Sequence, residues 1–205
     1  MKNNLDLICE KYGGSITTIH RGRNRLHTGG DTSKLGYTTI YYKNFLKFQQ
    51  SKINFLEIGI FQGKGLAMWS EFFSNGKIYG IDINTKEYEL SKDNLIKSYN
   101  AFFNNNLEKV FETDTSTFDE NVIKTLPQLD IIIDDGAHDH KSQYSTFINY
   151  FPKIKKGGMY AIEDIRHYQQ LISSLNINPY LKNIENIETF SFKNHQSKLV
   201  IITKK

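Results

Sequence analysis

The chain has 205 residues, of which 39% are hydrophobic and 23% charged, and its formal net charge is +4 at pH 7. This composition supplies one sizeable core, and a small positive charge without long blocks of one sign argues only weakly for a nucleic-acid partner. No run of about 18 apolar residues is present, which excludes a membrane-spanning helix. Cys9 is the single cysteine, so the chain cannot form an intramolecular disulfide, and we expect a reducing, cytoplasmic location.

The first 50 residues differ in pattern from the rest. A short amphipathic helix is predicted over residues 1–12, a loop rich in Gly, Arg, Thr and His over 13–36, and a second helix over 37–49 with apolar residues near the helical period. Long loops ahead of a core domain are usually functional or partly disordered. We therefore predict an N-terminal segment, residues 1–50, that packs on or caps a functional site in a domain spanning residues 51–205.

From residue 53 onward, short apolar strands alternate with helices. The predicted strands are 53–59, 77–83, 107–114, 129–135 and 157–165, and the predicted helices between them are 64–73, 86–104, 117–126 and 141–151. Residues 187–192 and 199–204 alternate in polarity and predict an antiparallel hairpin. The pattern indicates an α/β fold, Rossmann-like and doubly wound, with a mostly parallel sheet and a C-terminal antiparallel hairpin.

Acidic residues gather at the ends of all five of these strands. They are Glu57, Asp82, Asp114, Asp134, Asp135, Glu163 and Asp164. Ligands of such sheets bind outside the carboxyl ends of the strands. Aspartates that cap the following helices would explain one or two of these positions, but not the whole set.

A glycine-rich turn follows the first strand. Gly59, Gly63 and Gly65 give the spacing GxxxGxG, which differs from the GxGxxG fingerprint of dinucleotide-binding folds. Asp82 ends the next strand, where a carboxylate can accept hydrogen bonds from both ribose hydroxyls of a nucleotide. Glycines required only for a tight turn, a capping role for Asp82, and a NAD-type enzyme remain open alternatives.

A second group of polar residues follows the fourth and fifth strands. Asp134, Asp135 and His138 lie in the run DDGAH, and Glu163 and Asp164 end the next strand. Carboxylates that converge at adjacent strand ends repel one another unless a cation or protons neutralise them. Hard oxygen ligands suit Mg²⁺, and His138 could stand beside the metal as a base or be only a surface or capping histidine.

The glycine-rich turn, with an acid two residues ahead of its first glycine, resembles that of the class I S-adenosylmethionine-dependent methyltransferases. In that family the turn holds the methionine end of the cofactor, the acid after the second strand holds the ribose, and the position after the third strand contacts adenine. The cofactor-binding residues that the resemblance implies are Glu57, Gly59, Gly63, Asp82, Asp114, Thr115 and Asp134.

The run IIIDDGAHDHKSQYSTFINYFPKIKKGGMYAIEDI, residues 131–165, resembles the metal-dependent sugar O-methyltransferases of macrolide biosynthesis (mycinamicin type) and the related cephalosporin hydroxylase family. The resemblance implies that Asp135, Glu163 and Asp164 bind Mg²⁺ or another divalent cation and that His138 is the general base. A homo-oligomer is implied by the resemblance alone. The sequence departs from the family after Asp164, and the macrolide enzymes have longer chains, which favours a smaller acceptor.

We therefore predict an S-adenosylmethionine- and Mg²⁺-dependent O-methyltransferase that acts on a sugar hydroxyl. Its acceptor would be a sugar nucleotide, a polysaccharide precursor or a glycosylated natural product. The alternatives are methylation of a catechol-like vicinal diol, where chelation by the metal works identically, and a non-catalytic nucleotide-binding module whose acids only cap helices. Arg21, Arg23 and Arg25 form a basic patch that either faces solvent or closes over a nucleotide diphosphate.

Overall fold

A computed structural model of the chain describes residues 2–12, 36–192 and 198–205. The predicted loop up to residue 35, with its three arginines, and the predicted turn at 193–197 lie outside the described residues. The chain divides into two units. Unit 1 comprises Met1–Ile53, Ile60–Ile78 and Thr85–Lys109, and unit 2 comprises Asn54–Gly59, Tyr79–Asn84 and Val110–Lys205. The boundary expected at residue 50 stays a prediction.

The described residues form seven α-helices and seven β-strands. The helices are α1 (Asn4–Lys11), α2 (Tyr37–Phe45), α3 (Lys64–Phe72), α4 (Lys86–Tyr99), α5 (Glu120–Thr125), α6 (His140–Tyr150) and α7 (Tyr168–Leu175). The strands are β1 (Asn54–Ile58), β2 (Lys77–Asp82), β3 (Leu107–Glu112), β4 (Leu129–Asp134), β5 (Ile154–Ile165), β6 (Ile184–Ser191) and β7 (Lys198–Lys204). Helix α7 lies in a stretch for which the sequence predicts no element, and it buries Leu171 and Leu175.

The strands form one sheet in the order β3-β2-β1-β4-β5-β7-β6. Strand β4 pairs in parallel with β1 and β5, whereas β7 runs antiparallel to both β5 and β6. This arrangement confirms the predicted Rossmann-like sheet with a C-terminal antiparallel hairpin. The strand order reverses between β1 and β4, and ligands of such sheets bind at this switch point.

The core of unit 2 forms around the central strands. Ile131, Ile132 and Ile133 of β4 are all buried, as expected for a parallel strand that is covered on both faces and therefore lacks polar alternation. Phe147 of α6 packs edge-on against Tyr160 of β5, with ring centroids 5.4 Å apart. The apolar helix face thus fixes α6 against the sheet.

Unit 1 has its own aromatic core. Trp69 of α3 lies against Tyr41 and Phe45 of α2 and stacks on Phe73 at a centroid distance of 5.8 Å. Helix α1 begins with a capping box in which Asn3 and Asp6 each accept a hydrogen bond from the backbone of the other. None of the described helices is long and apolar enough to cross a membrane.

Candidate active site

The turn after β1 places backbone against backbone at the switch point. Gly59 has φ +84°, and its N–H donates to the carbonyl of Ile81 over 2.8 Å. On the other side, the N–H of Asp135 donates to the carbonyl of Ile58 over 2.9 Å. A Cβ atom at position 59 would lie 2.2 Å from the carbonyl oxygen of Asp135. Only glycine fits this left-handed position, because the chain ends of β1 and β4 approach so closely.

This geometry predicts a large loss of stability for Gly59→Ala. The left-handed backbone costs about 1–2 kcal/mol for a residue with a Cβ, and relief of the clash costs about 1–3 kcal/mol more. Gly157→Ala is the matched control, since Gly157 has φ +76° and a Cβ added there would meet no atom within 4 Å. We expect urea unfolding to show the larger loss for Gly59→Ala. Equal losses would contradict the close approach.

Three predicted cofactor residues lie where β2 and β3 end: Asp82 is the last residue of β2, and Asp114 and Thr115 follow β3. Asp82 is partly exposed and accepts a hydrogen bond from the N–H of Asn84 over 3.0 Å. Asp114 is exposed, and its Oδ1 accepts from the N–H and the hydroxyl of Ser116 over 2.9 and 2.7 Å. The hydroxyls of Thr115 and Thr146 are 3.1 Å apart. Both carboxylates thus shape the turns that follow their strands, and contacts of all three predicted residues with a cofactor stay predictions.

Glu57 and Gly63 occupy two different surroundings. Glu57 is buried in β1 of unit 2. Gly63 belongs to unit 1, where it precedes α3 with φ +77°, and a Cβ there would lie 2.5 Å from the ring of Tyr88. Close packing therefore accounts for the glycine at position 63, and the predicted cofactor roles of both residues remain untested.

Asp134 points into the interior of unit 2. It is 2% exposed, and it accepts hydrogen bonds from the hydroxyl of Tyr160 over 3.1 Å and from the N–H of Gly136 over 3.3 Å. Burial raises the pKa of Asp134 to about 7, although both hydrogen bonds act in the opposite direction. The predicted contact of Asp134 with a cofactor stays a prediction.

A cluster of three side chains lies at the carboxyl ends of β4 and β5. His138 Nε2 is 3.5 Å from Asp135 Oδ1, and His138 Nδ1 is 3.6 Å from Asp164 Oδ2. One atom from each residue lies within 4.8 Å of those of the other two. The hydrogen bond with Asp135 and the charges of both carboxylates raise the pKa of His138, which burial opposes. The sequence-predicted ligands Asp135 and Asp164 and the predicted base His138 are therefore brought together.

A β-bulge turns Asp164 toward this cluster. Ile162 of β5 pairs with Val200 of β7, and Ile165 pairs with Lys198, so that Glu163 and Asp164 together face a single residue. Asp164 has φ +48°, a left-handed conformation that aspartate tolerates better than most residues. Bulges beside functional sites commonly redirect a side chain. Glu163, by contrast, is buried and outside the three-residue cluster, and its predicted role as a metal ligand stays a prediction.

The cluster suits a hard divalent cation. Asp135 and Asp164 supply carboxylate oxygens, His138 supplies a nitrogen, and all three side chains are only partly buried. Two carboxylates beside one imidazole keep a net negative charge whether or not the ring is protonated. Mg²⁺ is usually bound by one or two carboxylates and keeps positions for water and substrate oxygens, so these residues fit the ion that the sequence predicts.

The neighbouring histidines have other surroundings. His140 Nε2 lies 3.1 Å from the hydroxyl of Ser174, which ties the first turn of α6 to α7. His167 is exposed immediately before α7. Among the residues that the structure describes, His138 is thus the histidine whose ring nitrogens lie close to both carboxylates of the cluster.

Sequence reasoning missed two residues around the site. Tyr160 donates to Asp134 from the middle of β5, and Gln143 of α6 donates to the backbone of Glu163. Both lie in stretches whose periodicity indicates only a strand and a helix. No sequence signal distinguishes them from core residues, because their partners are far along the chain.

The sheet order is that of a doubly wound α/β domain, and the cluster lies at the carboxyl ends of β4 and β5, beside the switch point between β1 and β4. A family model described as a methyltransferase domain matches residues 56–165, which is more than half of the chain. The chain therefore belongs to this methyltransferase family. The match begins in β1 and ends with β5, and it includes Gly59, Asp82 and the whole cluster.

The relatives agree with the predicted resemblance. The chain is 30% identical over 146 residues to mycinamicin VI 2''-O-methyltransferase of Micromonospora griseorubida. The aligned region covers 65% of this chain and 33% of that protein. It is 29% identical over 136 residues to 8-demethyl-8-(2-methoxy-alpha-L-rhamnosyl)-tetracenomycin-C 3'-O-methyltransferase of Streptomyces olivaceus, over 63% of this chain and 32% of that protein. The chain thus spans about a third of the length of these curated relatives.

A solved structure shows the same fold. MycE methyltransferase from the mycinamycin biosynthetic pathway, in complex with Mg and SAH, matches with a TM-score of 0.67 at 22% identity, over 100% of this chain and 55% of that one. At this identity the likeness establishes the fold.

Proposed function

We propose that this chain is an S-adenosylmethionine- and divalent-metal-dependent O-methyltransferase whose acceptor is a sugar hydroxyl. The observation that carries the proposal is the Asp135–His138–Asp164 cluster at the ends of β4 and β5, next to the glycine turn of β1. The family match supports methyl transfer, and the names of the two relatives support O-methylation of glycosylated acceptors. A cytoplasmic location remains part of the proposal.

The cluster residues divide the chemistry between them. Asp135 and Asp164 hold the cation, and Glu163 is the further ligand that the sequence predicts. A bound divalent cation supplies Lewis-acid chemistry, since it lowers the pKa of a neighbouring hydroxyl group. His138 takes the hydroxyl proton as the acceptor oxygen bonds to the methyl carbon and the C–S bond breaks, with its electron pair passing to sulfur.

The turns after β1 and β2 bind the methyl donor. Gly59 lets the backbone approach the ligand closely, and Asp82 accepts hydrogen bonds from the ribose hydroxyls. Holding the donor and the acceptor in line supplies much of the remaining acceleration. These residues therefore bind and orient the methyl donor, and the cluster deprotonates the acceptor hydroxyl.

The cofactor assignment predicts a loss of affinity for Asp82→Ala. Without its carboxylate, the ribose hydroxyls lose their acceptor, which costs about 1–3 kcal/mol. We expect calorimetry to show S-adenosylhomocysteine binding weakened by about 5- to 150-fold. Glu185→Ala, which removes an exposed carboxylate of β6, should bind as the wild type does. Binding of NAD without affinity for S-adenosylhomocysteine would overturn the cofactor assignment.

The acceptor class is tested with a panel of sugar nucleotides, free glycosides and catechols. Release of S-adenosylhomocysteine with a sugar and not with a catechol supports the proposal. Turnover of catechol alone would instead assign an aromatic vicinal diol as the acceptor of this site. A protein that binds the cofactor and methylates neither class would fit the non-catalytic module.

A further inference from the structure

Gln143 is a buried polar side chain on the inner face of α6. It is 2% exposed, and its Nε2 donates to the carbonyl oxygen of Glu163 over 2.9 Å. Its Oε1 is buried without a hydrogen-bond partner among the residues that the structure describes. A buried amide that uses only part of its hydrogen-bonding capacity lowers the stability of the fold. An apolar residue of the same shape at position 143 would therefore cost less stability.

The hydrogen bond falls at the bulge that turns Asp164. The carbonyl of Glu163 belongs to the peptide that precedes Asp164. A bond that holds this peptide therefore restrains the backbone torsion that gives Asp164 its φ of +48°. Ladder bonding is locally disrupted at a bulge. The amide of Gln143 therefore supports the backbone at the step where the pairing of β5 with β7 is irregular.

Gln143 also belongs to the segment that carries the other two cluster residues. Its backbone N–H donates to the carbonyl of Asp139, and the side chain of Asp139 caps the start of α6 just after His138. One residue thus connects the turn that bears Asp135 and His138 to the strand end that bears Asp164. These are the two segments between which His138 Nδ1 lies 3.6 Å from Asp164 Oδ2.

We propose that Gln143 is a positioning residue that holds the bulged Glu163–Asp164 peptide against the β4–α6 turn, and so sets Asp164 at the distance that divalent-cation binding needs. The inference rests on the proposed function. Gln143 touches neither substrate nor cation in this role. It acts through the direction of the Asp164 carboxylate, as residues behind metal ligands commonly do.

The test is Mn²⁺ binding to the full chain, measured by calorimetry. Gln143→Met keeps the length of the side chain and removes its donor, and we expect the Mn²⁺ dissociation constant to rise by about 10- to 100-fold. Affinity for S-adenosylhomocysteine should stay within about two-fold of the wild type. Leu175→Val, which trims a fully buried apolar residue of α7, controls for general loss of packing and should leave Mn²⁺ affinity unchanged.

A double-mutant cycle separates positioning from a general structural role. In an Asp164→Asn background the added Gln143→Met change should alter Mn²⁺ affinity by less than about two-fold, because the carboxylate through which Gln143 acts is gone. Additive effects, or wild-type Mn²⁺ affinity in Gln143→Met, would overturn the positioning role and leave the proposed function standing. Absence of Mn²⁺ binding by the wild-type chain would instead overturn the proposed metal dependence and the positioning role with it.

Discussion

Removal of the divalent cation should strongly reduce the rate of methyl transfer, and so should loss of either cluster carboxylate. Asp135→Asn and Asp164→Asn each remove one charged oxygen ligand while keeping the size of the side chain. If the cation provides about 4 kcal/mol of transition-state stabilisation, turnover falls by about 10³-fold. We expect the same fall after treatment with EDTA and dialysis, with activity restored by Mg²⁺ or Mn²⁺.

Two variants make this experiment specific. Glu185→Gln removes an exposed carboxylate charge from β6 and should keep full turnover and Mn²⁺ affinity. Glu163→Gln tests the third ligand that the sequence predicts: loss of Mn²⁺ affinity would support it, and wild-type affinity would restrict the carboxylate ligands to Asp135 and Asp164. In all these variants S-adenosylhomocysteine should still bind. Full activity in EDTA-treated, dialysed protein would show that the carboxylates are structural.

Loss of the imidazole at position 138 should produce the second large effect. His138→Ala should lower kcat by about 10²–10⁴-fold, the usual contribution of a general base. Folding should be little changed, because the residue lies on a partly exposed turn between β4 and α6 and contributes little to the core. The measurements are kcat at saturating cofactor and metal, together with the Mn²⁺ dissociation constant.

Metal affinity distinguishes a base from a ligand at this position, since the ring nitrogen of His138 is also close enough to both carboxylates to share a cation with them. A base predicts a fall in kcat with Mn²⁺ affinity retained, whereas a ligand predicts that both fall together. His140→Ala is the control, because His140 bonds to Ser174 and should affect stability alone. Near-normal kcat in His138→Ala would place the base elsewhere and make His167 the next residue to test.

Most of the site's composition could be predicted from the sequence. Acids that follow strands of a parallel sheet meet at one edge, so the sequence predicts that Asp135 and Asp164 lie close together. His138 follows Asp135 by three residues in the run DDGAH, so the sequence also predicts that it lies beside them. By contrast, the sequence predicts that β5 starts at residue 157, whereas the strand begins at Ile154. Gly157 and Gly158 are typical of a turn ahead of a strand, but they lie inside β5, where its pairing with β4 shifts register between Ile154 and Met159.

The sequence alone determined the class of sheet, the glycine turn and the acids at the strand ends, because each depends on local periodicity and spacing. Only the tertiary structure decided which acids face one another. Adjacent carboxylates point in different directions: Asp134 turns inward to Tyr160, whereas Asp135 turns to His138. The bulge that directs Asp164, and the bond from Gln143 that supports it, arise from pairing between segments about 20 residues or more apart, which no local pattern encodes.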